Sequence, residues 1–307
     1  MDTGRFAPTT SGRAHPGTLL AGALAWLDMR SRGGRFVLRL EDIDPGAQNP
    51  HNRQGLVEDL RWFGLEWDQL VWQSEGREGH DQALETLASL GLLYECGCSR
   101  RVVQAAGIPS ASGGWVYPGT CRGRRVRNWR ASRLGLRVDL ADLVVSVADE
   151  GGTDLSQVLR TAMGDPLVRR PDGGATYQLA VVVDDALAGV TRVVRGRDLA
   201  TSTATQATLM DLLGMARPVW RHHLLLLEPQ GEKLAKLHQS VAVPQLQDFY
   251  TPQALLGFLA KACGLQSTAH PLGLQQLLAQ FAWGRVESED VAVAWHSGAL
   301  ELSTPEL

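Results

Sequence analysis

The chain has 307 residues, 44% of them hydrophobic, and a formal net charge of -3. That is enough to bury a large core in one domain or two to three smaller units, and too little positive charge for general coating of nucleic acid. The first residues carry no basic segment leading into an apolar stretch, and the best apolar run is broken by Asp28, so a cytoplasmic protein with no membrane segment is expected.

Arg5 to Ala7 reads as a short strand and Thr18 to Arg32 as a buried helix. Arg35 to Leu40 reads as a second strand, ending in the acidic cluster "EDIDP". Strand, helix, strand predicts a right-handed parallel unit. Apolar residues at Leu56, Leu60 and Phe63 predict the next helix, "VWQS" a strand, and Ala83, Leu87 and Leu90 another helix. From about 96 to 174 the pattern dissolves into Cys, Gly, Ser, Pro and Arg, which reads as an insertion with its own small fold. Regular structure resumes at Tyr177, with Asp184 and Asp185 taken as neighbours on a strand and pointing to opposite faces. A helix from Asp198 to Leu213, a strand through "VWRHHLLLL", and helices at Pro252 to Cys263 and Leu272 to Trp283 follow. The expected architecture is an α/β, Rossmann-like, doubly wound parallel sheet split between 1–95 and 175–245. The insertion occupies 96–174, and a small helical part occupies 246–307.

Ligands of such sheets bind beyond the carboxyl ends of the strands, where strand order reverses. "RFAPTTSGRAHPGTLL" spans the end of the first strand, its loop and the start of the first helix, whose free N–H groups favour an anion. Neither a G-x-x-x-x-G-K-[ST] loop nor a well-placed G-x-G-x-x-G occurs, which removes support for a P-loop nucleoside triphosphatase and for a nicotinamide enzyme. Of 30 basic residues only Lys233, Lys236 and Lys261 are lysines, two of them within "KLAKL". Seven arginines lie between Arg122 and Arg137. They read equally as a phosphate-contacting surface or a solvated loop, with Trp129 as the one tryptophan expected to act as a stacking surface.

Cys96, Cys98 and Cys121 are too few for a disulfide framework and suit a local metal cluster. A structural Zn2+ wants four ligands, and no histidine lies between Cys96 and Arg221. The fourth would be an oxygen, from Tyr117, a carboxylate or water. Three buried free thiols are the alternative.

"SGRAHPGTL" and "KLAKL", in this order, resemble the HIGH and KMSKS motifs of class I aminoacyl-tRNA synthetases. "RFAPTTSG", "RLEDIDP", "WQS", "YECGC", "YQLAVVVDD" and "VVRGRDL" resemble the glutamyl branch. The last of these, with the short length and the absent anticodon-binding domain, narrows the resemblance to members that place glutamate on the queuosine base of tRNA(Asp). It covers roughly residues 4 to 240. It implies ATP, with Mg2+, and L-glutamate as substrates and tRNA(Asp) carrying queuosine as partner. His15, Gly17 and Lys236 would serve the nucleotide, with Lys233 in support. Arg5, Phe6, Ala7, Pro8, Thr9, Glu41, Tyr177 and Arg195 would hold the amino acid, and Cys96, Cys98, Tyr117 and Cys121 would form a zinc site. Residue type alone also allows Arg5 and Glu41 to pair with each other as a cap on the sheet. Ala235 stands where the family usually has serine, and Thr18 where members often have serine. One of His222 and His223 is expected to face the nucleotide cleft. The competing readings are a truncated glutamyl-tRNA synthetase charging the 3′ end of tRNA(Glu) and a non-catalytic zinc-containing RNA-binding module.

Overall fold

A computed structural model describes residues 1–307 except 111–113, 127, 141–142, 233, 235–240 and 304–307. The chain divides into two compact units, one formed by 1–71, 192–197 and 221–307 and the other by 72–191 and 198–220.

The first unit is organised by a five-stranded sheet in the order Val219–His223, Arg192–Gly196, Thr3–Phe6, Arg35–Leu40, Gln69–Trp72. In chain order this is 5-4-1-2-3, the doubly wound arrangement. Thr3–Phe6 pairs in parallel with both of its neighbours, Arg5 lying against Val37 and Gly4 against Arg192. Strand order therefore reverses between Thr3–Phe6 and Arg192–Gly196, and the ligand crevice of such a sheet opens there. The helix Pro16–Ser31 connects the first two strands and buries Leu19, Leu20, Leu24, Trp26, Leu27 and Met29.

Asp28 on that helix is 1% exposed. It is neutralised by a forked contact from Arg192 at 2.9 and 3.2 Å, and it accepts from the Trp283 indole N–H at 2.7 Å. Leaving a carboxylate this deep without partners would cost several kcal/mol, of order, so helix, strand and tail are bound together by charge. The tail contains the expected helix Pro252–Ala262 and a short one at Leu274–Leu278. It also forms a hairpin, Val291–His296 with Ala299–Ser303, which completes a three-stranded sheet with Leu226–Leu227. Its turn residues Ser297 and Gly298 both have positive φ, 49° and 88°, as a two-residue hairpin loop requires.

In the second unit, Leu93–Cys96, Gly135–Val138 and Leu167–Arg169 form an antiparallel sheet, beside the helices Arg77–Ser89, Tyr177–Leu187 and Thr203–Leu212. Tyr177–Leu187 was expected to be a strand around Asp184 and is a helix. It packs against Arg77–Ser89, a side chain at Gly79 meeting Leu187 and Val183. Gly189 at φ 65° ends it, with the Val190 N–H returning to the Asp185 carbonyl at 2.9 Å. Both aspartates are buried. Both helices lie in the second unit. Among the described residues no helix is long and apolar enough to cross a membrane.

Candidate active site

Arg5 and Arg195 lie on the two strands that flank the order reversal, and both are nearly fully buried. Arg5 donates to the Val194 carbonyl at 3.4 Å. Arg195 donates from Nε to His222 Nε2 at 3.1 Å, which requires that nitrogen to be unprotonated. His222 thus faces a buried guanidinium. Its neighbour His223 is packed inside, with Nδ1 donating to the Leu224 carbonyl at 2.7 Å.

The first loop is clamped by backbone. The Glu41 N–H donates to the Pro8 carbonyl at 3.0 Å, the Thr10 N–H donates to the Glu41 carbonyl at 3.2 Å, and Thr9 forms a parallel bridge with Glu41. The Thr10 hydroxyl closes the same turn on the Ala47 carbonyl. Phe6 and Pro8 are buried, Ala7 is half-buried and Thr9 is exposed. Glu41 is approached by Nη2 of the buried Arg39 at 3.5 Å, a partner that sequence reasoning missed. Arg39 and Glu41 are two residues apart and therefore on one face of the chain, which was the available signal. Beyond the loop, the Asp59 carboxylate accepts from Arg13 Nε and from the Ala14 N–H, both at 2.9 Å. That pair raises the Arg13 pKa and fixes the residue before the histidine.

His15 occupies the N-cap of Pro16–Ser31 with extended backbone, and Pro16 opens the helix. Its imidazole folds over Gly17. A Cβ there would lie 3.1 Å from Cε1 and 3.2 Å from Nδ1, so glycine at 17 makes room for the ring over the helix N-terminus. Lys233, Ala235 and Lys236 lie outside the described residues. The flanks of that stretch are fixed: the Leu234 N–H donates to the Leu226 carbonyl at 3.1 Å, and the Val243 N–H donates to the Ala14 carbonyl at 2.8 Å. The chain that leaves the lysine stretch is therefore tied to the residue preceding His15. Tyr177 belongs to the second unit, as the first residue of its helix and half-buried. The next residue, Gln178, links Ser202 and Gln206 by amide hydrogen bonds at 3.1 and 3.2 Å.

Cys96, Cys98 and Cys121 meet in the second unit, with their sulfurs all within 4.8 Å of one another. Cys98 and Cys121 are 3.6 Å apart, and Tyr117 Oη is 3.5 Å from Cys96 Sγ while accepting the Cys121 N–H at 2.8 Å. Sulfurs bound tetrahedrally to zinc at about 2.3 Å are separated by about 3.8 Å, so this donor set fits the ion. Burial opposes the Cys96 thiolate, yet Tyr117 and the Arg137 guanidinium, whose Nε is 3.3 Å from the sulfur, bring it down to about 7. Burial and then the two neighbouring thiols push Cys98 up to about 11. Arg137 also lies 3.7 Å above the Tyr117 ring. Gly164 at φ 71° lets the chain pass the Tyr117 backbone, since a Cβ would come within 2.4 Å of its carbonyl oxygen. Trp129, expected as a stacking surface, is buried. Its indole N–H donates to Glu85 at 3.1 Å and Arg130 covers its ring at 4.2 Å.

The family model for the catalytic domain of class I tRNA synthetases acting on Glu and Gln matches residues 3–106 and 155–283. A glutamyl-Q tRNA(Asp) synthetase of Symbiobacterium thermophilum is 41% identical across 95% of this chain and 96% of its own. One of Nitratidesulfovibrio vulgaris is 39% identical across 86% and 87%. A solved glutamate tRNA ligase of Elizabethkingia meningosepticum, in complex with its amino acid, superposes with a TM-score of 0.77 at 21% identity. It covers 95% of this chain, which spans 66% of that protein's length, and at this identity it speaks for the fold alone.

Proposed function

The chain belongs to the class I glutamyl and glutaminyl tRNA synthetase family. On that premise we propose that it activates L-glutamate with ATP and transfers the glutamyl group to the queuosine base in the anticodon of tRNA(Asp). The observation that carries this reading is the placement of two buried arginines, Arg5 and Arg195, on the strands that flank the order reversal. It is supported by relatives of that activity that match over nearly their whole length.

Glutamate brings two carboxylates and an ammonium. Arg5 and Arg195 offer guanidinium forks, and Glu41 a carboxylate for the ammonium, with the loop Phe6 to Thr9 completing the pocket. A carboxylate oxygen of glutamate attacks the α-phosphorus of ATP, the bond to the β-phosphate bridging oxygen breaks, and pyrophosphate leaves. Charge builds on the phosphoryl oxygens, and one preorganised donor there is worth about 3 to 4 kcal/mol. His15, which lies over Gly17 and follows the Asp59-bound Ala14, and the N–H groups of its helix face that charge from one side. Lys236, supported by Lys233, closes from the other, and Mg2+ accompanies the triphosphate. The second step exchanges adenylate for a nucleophile on the modified base. A zinc ion held by Cys96, Cys98, Tyr117 and Cys121 would crosslink the second unit and take no part in either step. Cytoplasmic placement agrees with such substrates.

The test is glutamate-dependent pyrophosphate exchange with and without tRNA, followed by transfer to tRNA(Asp) with and without queuosine. Exchange without tRNA and transfer only to the queuosine form are expected. A strict tRNA requirement would replace this reading with charging of tRNA(Glu), and no exchange under either condition would leave an RNA-binding module.

A further inference from the structure

We infer that Asp290, in the tail, is a positioning residue for the glutamate pocket, joining the carboxyl ends of the two strands that carry Arg195 and His222. The inference rests on the glutamate-activating function proposed above and names a residue that acts on the pocket through others.

Arg192–Gly196 and Val219–His223 are neighbours in the five-stranded sheet. Arg195 and His222 meet across them at 3.1 Å. Just past the ends of these strands, one carboxylate oxygen catches both chains. Asp290 Oδ1 accepts the Leu225 N–H at 2.7 Å and lies 3.3 Å from Arg197 Nε. Leu225 is three residues beyond His222, and Arg197 is two beyond Arg195. The tail then takes hold of each a second time. The Val291 N–H donates to the Leu225 carbonyl at 3.0 Å, and Arg197 Nη2 donates to the Ser288 carbonyl. Both polar groups of the Leu225 backbone are thus engaged by the tail.

The tail needs none of this for its own fold. Its strand Val291–His296 pairs with Ala299–Ser303 on one side and with Leu226–Leu227 on the other. Tyr250 Oη accepts the Leu300 N–H at 2.8 Å, and the Phe249 ring packs edge-on to Trp295 at 5.6 Å, so the hairpin is seated without Asp290. An ion pair whose side chains are 35% and 25% exposed adds little to stability. What the carboxylate supplies is direction. At Leu225 the chain leaves the central sheet for Leu226–Leu227, and a charge-assisted hydrogen bond there fixes the turn that follows His222. The imidazole of His222 in turn orients the Arg195 guanidinium, which must meet a carboxylate of glutamate in a defined plane. Leu226–Leu227, which leads to the lysine stretch, keeps its own pairing with Val291 and Ala292 when the carboxylate is removed. The consequence therefore falls on glutamate rather than on ATP.

The test is Asp290→Ala in the full chain, with pyrophosphate exchange titrated separately with glutamate and with ATP. KM for glutamate is expected to rise about tenfold, the scale of a weakened hydrogen bond to a charged group, with kcat and KM for ATP unchanged. Asp290→Asn keeps the accepting oxygen and loses only the charge, and it should recover most of the loss. In a His222→Ala background, Asp290→Ala should raise KM for glutamate no further, because it acts through that histidine. A fall in kcat with KM for glutamate unchanged, or the same rise in both backgrounds, would overturn the positioning role and leave Asp290 a support of the tail. If the parent exchanges nothing, the functional reading fails, and amide hydrogen exchange across Arg192–Gly196 and residues 221–225 decides the inference. Faster exchange there in Asp290→Ala upholds the tie between the strand ends, and unchanged exchange overturns it.

Discussion

The two chemically loaded regions are built on opposite principles. The corner around Arg5, His15, Glu41 and Arg195 is held by main-chain hydrogen bonds, by the buried partners Val194, Arg39 and Asp59, and by the half-buried His222. The cysteine knuckle is held by side chains that compete. Two of its thiols raise the pKa of the third, and the Arg137 guanidinium answers the group. On the proposed function the corner is a pocket for a transient substrate, and such a pocket must exist before the substrate arrives. A cysteine knuckle that fits zinc needs only to become complete if the ion is bound.

Metal removal should break this contrast most visibly. A structural zinc contributes on the order of 10 kcal/mol or more to the fold around it. Chelation is therefore expected to accelerate amide hydrogen exchange across Leu93–Cys96 and Gly135–Val138 while leaving Thr3–Phe6 and Pro16–Ser31 protected. Equal acceleration in both regions would show that the corner is not pre-built. The pH dependence has a definite sign. Zinc displaces thiol protons, Cys98 retains its proton up to about 11, and Cys96 gains one below about 7. Apparent zinc affinity, read by competition with a chelating dye, should rise from pH 7 to 9 and fall steeply below 7.

Changing Lys236 to Ala is next in size. Exchange should fall about 100- to 1,000-fold, because on the proposed function one donor to developing phosphate charge is lost. Unaltered exchange would remove that lysine from the reaction.

Gly17→Ala separates catalysis from stability. Alanine favours the helix by up to about 1 kcal/mol, yet its methyl would displace the imidazole of His15. Exchange is expected to drop about tenfold, the order expected when a reacting group is misplaced, in a protein at least as stable as the parent. A stable variant with full activity would show that the ring position is incidental.

Trp283→Phe should give the smallest effect. It removes the N–H that binds Asp28 but keeps a ring for Arg221, which lies 4.3 Å away. Arg221 and His222 point to opposite faces of one strand, so the tail steadies the back of the strand whose front meets Arg195. KM for glutamate is expected to rise about threefold, the loss of roughly one hydrogen bond, with KM for ATP unchanged. Parallel rises in both constants would mark the tail as general support.

What the sequence revealed follows the same divide. The first corner was legible because its signals are local: short polar residues, a proline after His15, and a buried helix within 30 residues. The cysteine cluster was legible because few residue types can make it. The helix Tyr177–Leu187 was not, since "AVVVDD" is β-branched and almost wholly buried, and burial on neighbouring helices overrides that propensity. The glycine at 189 was the signal that could have marked a helix end. The hairpin at 291–303 was hidden because its partner, Leu226–Leu227, lies some 60 residues upstream. Trp129 illustrates the limit of reading charge runs, since its neighbours' charges are spent on Glu85, Asp139 and Asp165 inside the same unit.

The claim beneath the whole account is that the corner before His15 and the stretch containing Lys236 close on one phosphate, next to two arginines that hold glutamate. A crystal structure with a non-hydrolysable glutamyl-adenylate analogue measures this directly. The account predicts Arg5 and Arg195 on the glutamyl moiety, with His15 and Lys236 both within hydrogen-bond distance of the phosphate mimic. An analogue bound away from the order reversal, or Lys236 directed into solvent far from His15, would contradict it.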